Sequence, residues 1–418
     1  MTSKITAKQL AKKTKNSALK IANLSTEVKN KILHKVAKNL QKNMKQIIAA
    51  NNKDVELATS NNLSPAKIDR LILDEPRIKN LIAAINSIAD LPDPVGKITY
   101  DVKRENGLHI RRISVPIGTI LAIYEARPNV TSDIAALAFK AGNAVILRSG
   151  KECFESSKVI AHIYQDTLRE FGVDPAGISF VEEKDRSYVK ELLKLDEFID
   201  VVVPRGGKDL IKAITKTTKI PLFKHLDGNC HTYIHCSADL KKAVKIVQNA
   251  KLRRTGICGA TESLLINKTV ANEFLPRIID ELAKYGCEIR GGVIAQQIDS
   301  RVKPASRKDF YTEYLDKIIS VKVVRNIEEA ITHINKHSSS HTESIIAEDE
   351  AAVRRFQREI DSAIVMHNAS TQFADGGEFG LGAEVGISTG RLHARGPVGL
   401  EQLTIYKYLV EADCAIRK

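Results

Sequence analysis

Through the first fifty residues the apolar side chains recur every three to four positions. Val28, Ile32, Leu33, Val36, Leu40, Met44 and Ile47 fall on one side of a helix, and polar residues fill the remainder. The spacing predicts two amphipathic helices, over 5–23 and 26–50, with "LST" at 24–26 supplying a serine or threonine N-cap between them. From about residue 117 the pattern changes. Continuous apolar runs at 119–126, 144–149, 178–182, 199–204 and 220–225 alternate with helical stretches at 132–141, 156–171, 188–195 and 208–215. Strands of that kind joined by helices are the sequence form of a parallel sheet covered on both faces, so this half is expected to be a doubly wound α/β domain. The alternation restarts with a strand at 231–235, a helix capped at Ser237 and a strand at 262–267, which places the start of a second α/β domain near residue 228. Two such domains in one enzyme ordinarily face each other across a cleft. Two stretches fit neither domain: 98–115 alternates around "ENG", a hairpin signal, and 403–410 alternates near the C-terminus. Both are expected to be edge strands placed to pair with another subunit.

Composition changes this picture little. The 418 residues are 43% hydrophobic and 27% charged, a globular composition with length for two or three domains. No apolar run approaches the roughly 18–20 residues that cross a bilayer, and the opening residues lack a secretory apolar stretch, so a soluble cytoplasmic protein is expected. The six cysteines lack the spacing of a disulfide framework and are expected to be mostly reduced and buried. The net charge of +14 suggests a nucleic-acid partner until it is located. Residues 1–53 hold thirteen lysines against one acid, Glu27, and the rest of the chain is nearly balanced. Lys29, Lys31, Lys35, Lys38, Lys42 and Lys45 decorate the helix at 26–50, so the bland account is a solvated helix face. Weak nucleic-acid or membrane-surface binding is the rival, weakened by the absence of arginine, the side chain preferred for forked phosphate recognition. The same absence argues against a mitochondrial presequence.

Four segments carry candidate chemistry. "VVVPRGGKDLIKAI" (201–214) runs from a strand through Gly206 and Gly207 into a helix, an arrangement that brings backbone N–H groups near an anion, although taken alone it is a weak signal and a plain tight turn is the commoner reading. "NAVILRSGKE" (143–152) ends a strand with Arg148 and Lys151, where nucleotides bind in such sheets and where charged residues are also commonly just solvated. In "CHTYIHC" (230–236) two histidines and two cysteines project from opposite faces of a strand, so they do not converge on a tetrahedral ion, and no metal is expected. In "RRTGICGATES" (253–263) Cys258 sits on a loop between Gly256 and Gly259, with Arg253 and Arg254 placed to favour a thiolate. That segment by itself leaves Cys258 open between a small core residue and a nucleophile.

Taken together, "YEARPNVTSDIAALAFKAGNAVILRSGKE" (124–152), "VVVPRGG", "GNCHTYI" (228–234), "RRTGICGATESLLIN" (253–267) and "ISTGRLHARGPVGLEQLTIYKY" (387–408) resemble the γ-glutamyl phosphate reductases, a family within the aldehyde dehydrogenase superfamily. The resemblance spans almost the whole chain, and "RPNVT" and "RLHARGPVGLE" are specific to the family. It implies an aldehyde dehydrogenase-like α/β fold: two doubly wound α/β domains facing a cleft, plus an oligomerisation β-hairpin. The implied division is 1–97 with 116–227 for NADPH binding, 228–402 for catalysis, and 98–115 with 403–411 for oligomerisation. The implied activity is NADPH-dependent reduction of L-glutamyl 5-phosphate to L-glutamate 5-semialdehyde in proline biosynthesis. The implied partners are that small molecule, further copies of the chain in a homo-oligomer and, by functional coupling, glutamate 5-kinase; the charge distribution favours neither a membrane nor, except as a secondary property, a nucleic acid. By position Cys258 matches the nucleophile and Asn129 the oxyanion-hole amide. Arg148, Lys151, Gly206, Gly207 and, less securely aligned, Glu313 match the cofactor side, and Arg391, His393 and Arg395 are substrate candidates. Lys151 stands where many NAD-preferring relatives have a ribose-binding glutamate, and a cation there favours a 2′-phosphate. Hydrolytic relatives carry a glutamate base in "ELGGKSP", where "HLDGNCH" here puts His225. Exchange of a thioester with phosphate needs no water-activating base. The alternative is another oxidoreductase of the superfamily, hydrolytic or CoA-acylating. The family often has asparagine after the cysteine, and here it is Gly259.

Overall fold

A computed structural model describes residues 5–224 and 227–417. The chain divides into two compact units, residues 1–224 with 380–386 and 398–418, and residues 225–379 with 387–397. Segments 380–386 and 398–402 thus pack with the first unit rather than the second. There the Val385 N–H donates to the Val398 carbonyl at 2.9 Å, and Val398 and Leu400 are buried. A return of this kind has no periodic signature, because it is made of short irregular backbone.

The first unit is built on a four-stranded parallel sheet in the spatial order Ile178–Phe180, Ala144–Ser149, Thr119–Tyr124, Val201–Arg205. Every side chain of Thr119–Tyr124 is buried, as a strand covered on both faces requires. The expected strand at 220–225 is reduced to one bridge, Leu222 to Val202, and His225 lies outside the described residues. Pro221 lacks an N–H for a longer ladder. The helix Asn129–Lys140 begins earlier than its apolar period suggests, behind Pro128 with φ fixed at −64°, which places Asn129 in the first turn.

Ser25 caps the helix Thr26–Lys42 by accepting the Val28 N–H at 3.3 Å. That helix stops short of 50. Asn43 turns its Nδ2 back on the Asn39 carbonyl at 2.8 Å, and Met44–Ser60 follows as a separate helix. Lys29, expected among the solvated lysines, is 1% exposed and pairs with Asp93 at 2.5 Å while donating to the Lys140 carbonyl at 3.1 Å. Strands Ile98–Lys103 and His109–Pro116 form the expected hairpin, with Gly107 at φ +83° in its turn. Thr404–Glu411 pairs along the whole of His109–Pro116, giving a three-stranded antiparallel sheet inside one chain.

The second unit carries a seven-stranded parallel sheet in the order Lys303–Pro304, Glu288–Gly291, Ile318–Val324, Thr261–Asn267, Cys230–Ile234, Thr342–Ile346, Ile364–His367. One face packs Leu264 and Ile266 against Phe274, Leu275 and Ile278, and the other packs Tyr233 and Leu265 against Ile334 and Phe356. The helix Leu240–Leu252 is capped by Asp239, not Ser237. Ser237 is spent elsewhere, its hydroxyl accepting the Glu348 and Asp349 N–H groups at 3.0 and 2.9 Å. Among the described residues no helix is long and apolar enough to cross a membrane.

Candidate active site

Cys258 lies in the turn between the helix Leu240–Leu252 and the strand Thr261–Asn267. The ends of that turn are joined by an ion pair between Lys251 and Glu262, both side chains wholly buried. Burial pushes the Glu262 carboxyl up to about 7, with Lys251 pulling the other way. The turn itself is clasped from its neighbours. The Cys230 thiol donates to the Cys258 carbonyl at 3.1 Å. Gly228 lies so close that a Cβ there would overlap the Cys258 backbone, and a Cβ on Gly259 would stand 3.1 Å from the Thr371 carbonyl. Gly228 is a position where only glycine lets two backbones meet, whereas at Gly259 a side chain would need only a small shift of its neighbour. Gln372 closes the last turn of the preceding helix by donating to the Asn249 and Ala250 carbonyls, and its oxygen accepts from Arg253 at 3.4 Å. Arg253 and Arg254 are both exposed. The half-buried Cys258 packs beside Ile364, Met366, Ala374 and Ile387.

The six cysteines are all free, and their burial sorts them. Burial pushes the Cys153 thiol up to about 12 and the Cys287 thiol up to about 11, and raises Cys230 well above its ordinary value. Those three are inert. Cys236 and Cys414 are exposed, against the expectation that most would be buried. Cys258 is both sheltered and reachable.

Glu313 reaches the same turn indirectly. Its Oε1 accepts the Gly228 N–H at 2.8 Å, and the Leu315 N–H, two residues on, is taken by Glu262 at 3.1 Å. Arg391 and Arg395, in the loop 387–397, both bind Asp361, Arg395 at 2.7 Å with a second bond to its carbonyl at 2.9 Å. These two guanidiniums are therefore paired within the protein, and they hold the Asp361 carboxyl below its usual range. His393 between them has φ +31°. In "CHTYIHC", His231 pairs with the buried Glu343 at 3.1 Å and His235 with Ser237 at 2.9 Å. Among the described residues no group of three or more His, Cys, Asp or Glu is placed to hold a metal ion.

In the first unit, exposed Asn129 donates through Nδ2 to Asp133 at 3.0 Å. Arg148 is half-buried at the carboxyl end of its strand, and Lys151 is exposed at the start of the short turn Lys151–Cys153. Burial lowers the Arg148 guanidinium from its usual value, with Glu152 and Cys153 acting against it. At the double glycine the Gly207 N–H donates to Glu125 Oε2 at 3.1 Å, and a Cβ on Gly206 would stand 2.6 Å from that oxygen. The helix Lys208–Thr217 thus presents its N-terminus to a carboxylate of the protein itself. Sequence reasoning missed Glu125, Asp133 and the Lys251–Glu262 pair. The signal for the last was faint: Lys251 and Glu262 flank the glycine-rich loop, but the helix before it carries other lysines that stay in solvent.

Residues 2–290 match the family model described as the aldehyde dehydrogenase family. The chain is 50% identical over 410 residues to the γ-glutamyl phosphate reductase of Erythrobacter litoralis, an overlap covering 98% of this chain and 97% of that one. It is 54% identical over 364 residues to the enzyme of the same name from Rhodospirillum rubrum, covering 87% and 85%. The crystal structure of γ-glutamyl phosphate reductase from Thermotoga maritima superposes with a TM-score of 0.97 at 44% identity, covering 99% of this chain and 100% of that one.

Proposed function

The chain belongs to the aldehyde dehydrogenase family, among its γ-glutamyl phosphate reductases, and from that membership we propose that it reduces L-glutamyl 5-phosphate to L-glutamate 5-semialdehyde and phosphate, the reductive step of proline biosynthesis. The single observation that carries the chemistry is the state of Cys258: a half-buried thiol on a turn held by Gly228, Cys230 and the Lys251–Glu262 pair.

The Cys258 thiolate attacks the acyl-phosphate carbonyl, and the resulting oxyanion is assigned to the Asn129 amide and the Cys258 backbone N–H. Phosphate leaves with the C–O electron pair and a thioester remains on Cys258. A nicotinamide cofactor, held on the side of Arg148, Lys151 and the Gly206–Gly207 turn, would supply the hydride that reduces this thioester. Addition of that hydride makes the Cys258 adduct a thiohemiacetal oxyanion, whose collapse breaks the C–S bond and regenerates the thiolate. The residues on the cofactor side suit a reduced nicotinamide dinucleotide phosphate. Arg148 and Lys151 bring two cations to the carboxyl end of one parallel strand, and Lys151, the exposed one, takes the 2′-phosphate. Glu313 takes the nicotinamide ribose, while the Gly206–Gly207 turn contributes backbone beside Glu125. Arg395 and Arg391, steadied by Asp361, with His393 between them, serve the substrate's α-carboxylate side of the reaction.

The three-stranded sheet of Ile98–Lys103, His109–Pro116 and Thr404–Glu411 is assigned to homo-oligomerisation. Tyr406, Tyr408 and Val410 alternate along one face of its last strand and are each about half exposed. Functional coupling to glutamate 5-kinase and a cytoplasmic location accompany the assigned reaction.

The reaction run backwards tests the assignment. With pyrroline-5-carboxylate and NADP⁺ supplied, NADPH should form only when inorganic phosphate is present, and the Cys258→Ala protein should form none while still binding NADPH. Formation without phosphate, or with coenzyme A in its place, would assign the chain to a hydrolytic or CoA-acylating reaction instead.

A further inference from the structure

Asn129 and Asp133 are four residues apart in the helix Asn129–Lys140, so their side chains share one face. Asn129 Nδ2 donates to Asp133 Oδ2 at 3.0 Å. A primary amide presents two N–H bonds at one end and a carbonyl oxygen at the other, and rotation about its last torsion exchanges them. Only the N–H end helps an oxyanion; the oxygen end repels it. A carboxylate beside the amide removes that ambiguity, because the flipped amide would set oxygen against oxygen. With one N–H committed to Asp133, the second keeps a fixed direction.

We infer that Asp133 is a positioning residue that holds the Asn129 amide with its N–H end turned to the developing oxyanion, an inference that rests on the oxyanion role proposed for Asn129. Asp133 is suited to the task. It is half-buried within the helix, and its main chain is fixed by the surrounding buried residues Thr131, Ser132, Ile134 and Ala135. Burial pushes its carboxyl up to about 6, with the Asn129 hydrogen bond and the Arg205 charge acting against that rise. A full negative charge beside a forming oxyanion would oppose it, and the Arg205 guanidinium offsets part of that charge. As pH falls through about 6 the carboxylate takes up a proton and its hold on the amide weakens, so the turnover number should fall with it.

The test is a double-mutant cycle on the intact protein in the phosphate-dependent reverse reaction, with Asn129→Ala, Asp133→Ala and the two combined. Asp133→Ala is expected to lower kcat on the order of 10- to 100-fold, the cost of a misplaced group, with little change in the cofactor KM. Asn129→Ala is expected to lower kcat on the order of 100- to 1,000-fold, as loss of one oxyanion donor does. The combined variant should be no slower than Asn129→Ala alone, since Asp133 acts only through that amide. Asp133→Asn keeps an acceptor oxygen and the same shape; it should recover part of the loss and abolish the decline near pH 6. If the two single losses multiply in the combined variant, Asp133 does not act through Asn129 and the inference is overturned. A loss in Asp133→Ala that Asp133→Asn leaves unrecovered also counts against it. If Asn129→Ala turns over normally while the phosphate requirement persists, the oxyanion role of Asn129 falls, and Asp133 positioning falls with it.

Discussion

Cys258 and Cys230 stand at the same turn and differ in what surrounds their sulfurs. Cys230 is wholly buried and gives its proton to the Cys258 carbonyl, so it works as a small hydrogen-bonding core residue. Cys258, half-buried, keeps a thiol that a substrate can reach. Lys151 shows a similar division of labour with Arg148: one cation is exposed and the other half-buried, one strand end apart. Exposed charge discriminates between ligands by Coulomb interaction with what arrives, so Lys151→Glu should raise the KM for NADPH more than that for NADH. Parallel steady-state measurements with the two cofactors check this, and equal effects would remove Lys151 from the 2′-phosphate. Cys258, Asn129 and Lys151, the residues proposed for the chemistry and the 2′-phosphate, are single letters in short motifs. Asp133 and Glu125 were not, because their significance lies in which way a neighbouring amide or N–H points, and that depends on helix phase and a glycine turn rather than on residue type.

At the level of elements, the turn carrying the thiol is held by parts remote from it in the chain. Glu262 binds Lys251 across the turn and takes the Leu315 N–H, and Glu313 takes the Gly228 N–H against the Cys258 backbone. Removing one member of a buried ion pair leaves the other charge uncompensated, whereas replacing both with apolar groups of similar volume is often tolerated. Glu262→Gln should therefore cost about 3–5 kcal/mol of folding stability, and pairing Lys251→Met with Glu262→Leu should restore part of it, the remainder being the Leu315 N–H left without its acceptor. Denaturant unfolding of the single and double variants measures both. In the first unit helices and strands were largely readable from apolar period: the strand at 144–149 and the cap at Ser25 stand as expected. Where period misled, a side chain competed with the backbone, as Asn43 does in ending a helix, or proline withheld an N–H, as Pro221 does in the 220–225 run.

For the whole molecule, the three-stranded sheet leaves Tyr406, Tyr408 and Val410 in solvent at about half their area, an apolar row that isolated chains seldom retain. If that face carries the proposed contact between copies, charges placed in the row, as Tyr408→Asp with Val410→Asp, should shift the protein to smaller species. Sedimentation velocity reads that change directly, and an unaltered distribution would exclude this face from the interface. The amino-acid sequence by itself determined the alternation of strands and helices, the hairpin around "ENG", the separate basic opening and the presence of a glycine-flanked cysteine. Each follows from local period, turn chemistry or residue type, which act over a few neighbouring positions. Only the tertiary structure decided that Thr404–Glu411 pairs with His109–Pro116 within one chain, that Lys29 is buried on Asp93, that Arg391 and Arg395 converge on Asp361, and that Lys251 and Glu262 seal the base of the Cys258 turn. These are pairings of groups whose partners are chosen by where packed elements come to rest, and burial then sets the strength and charge state of each pair.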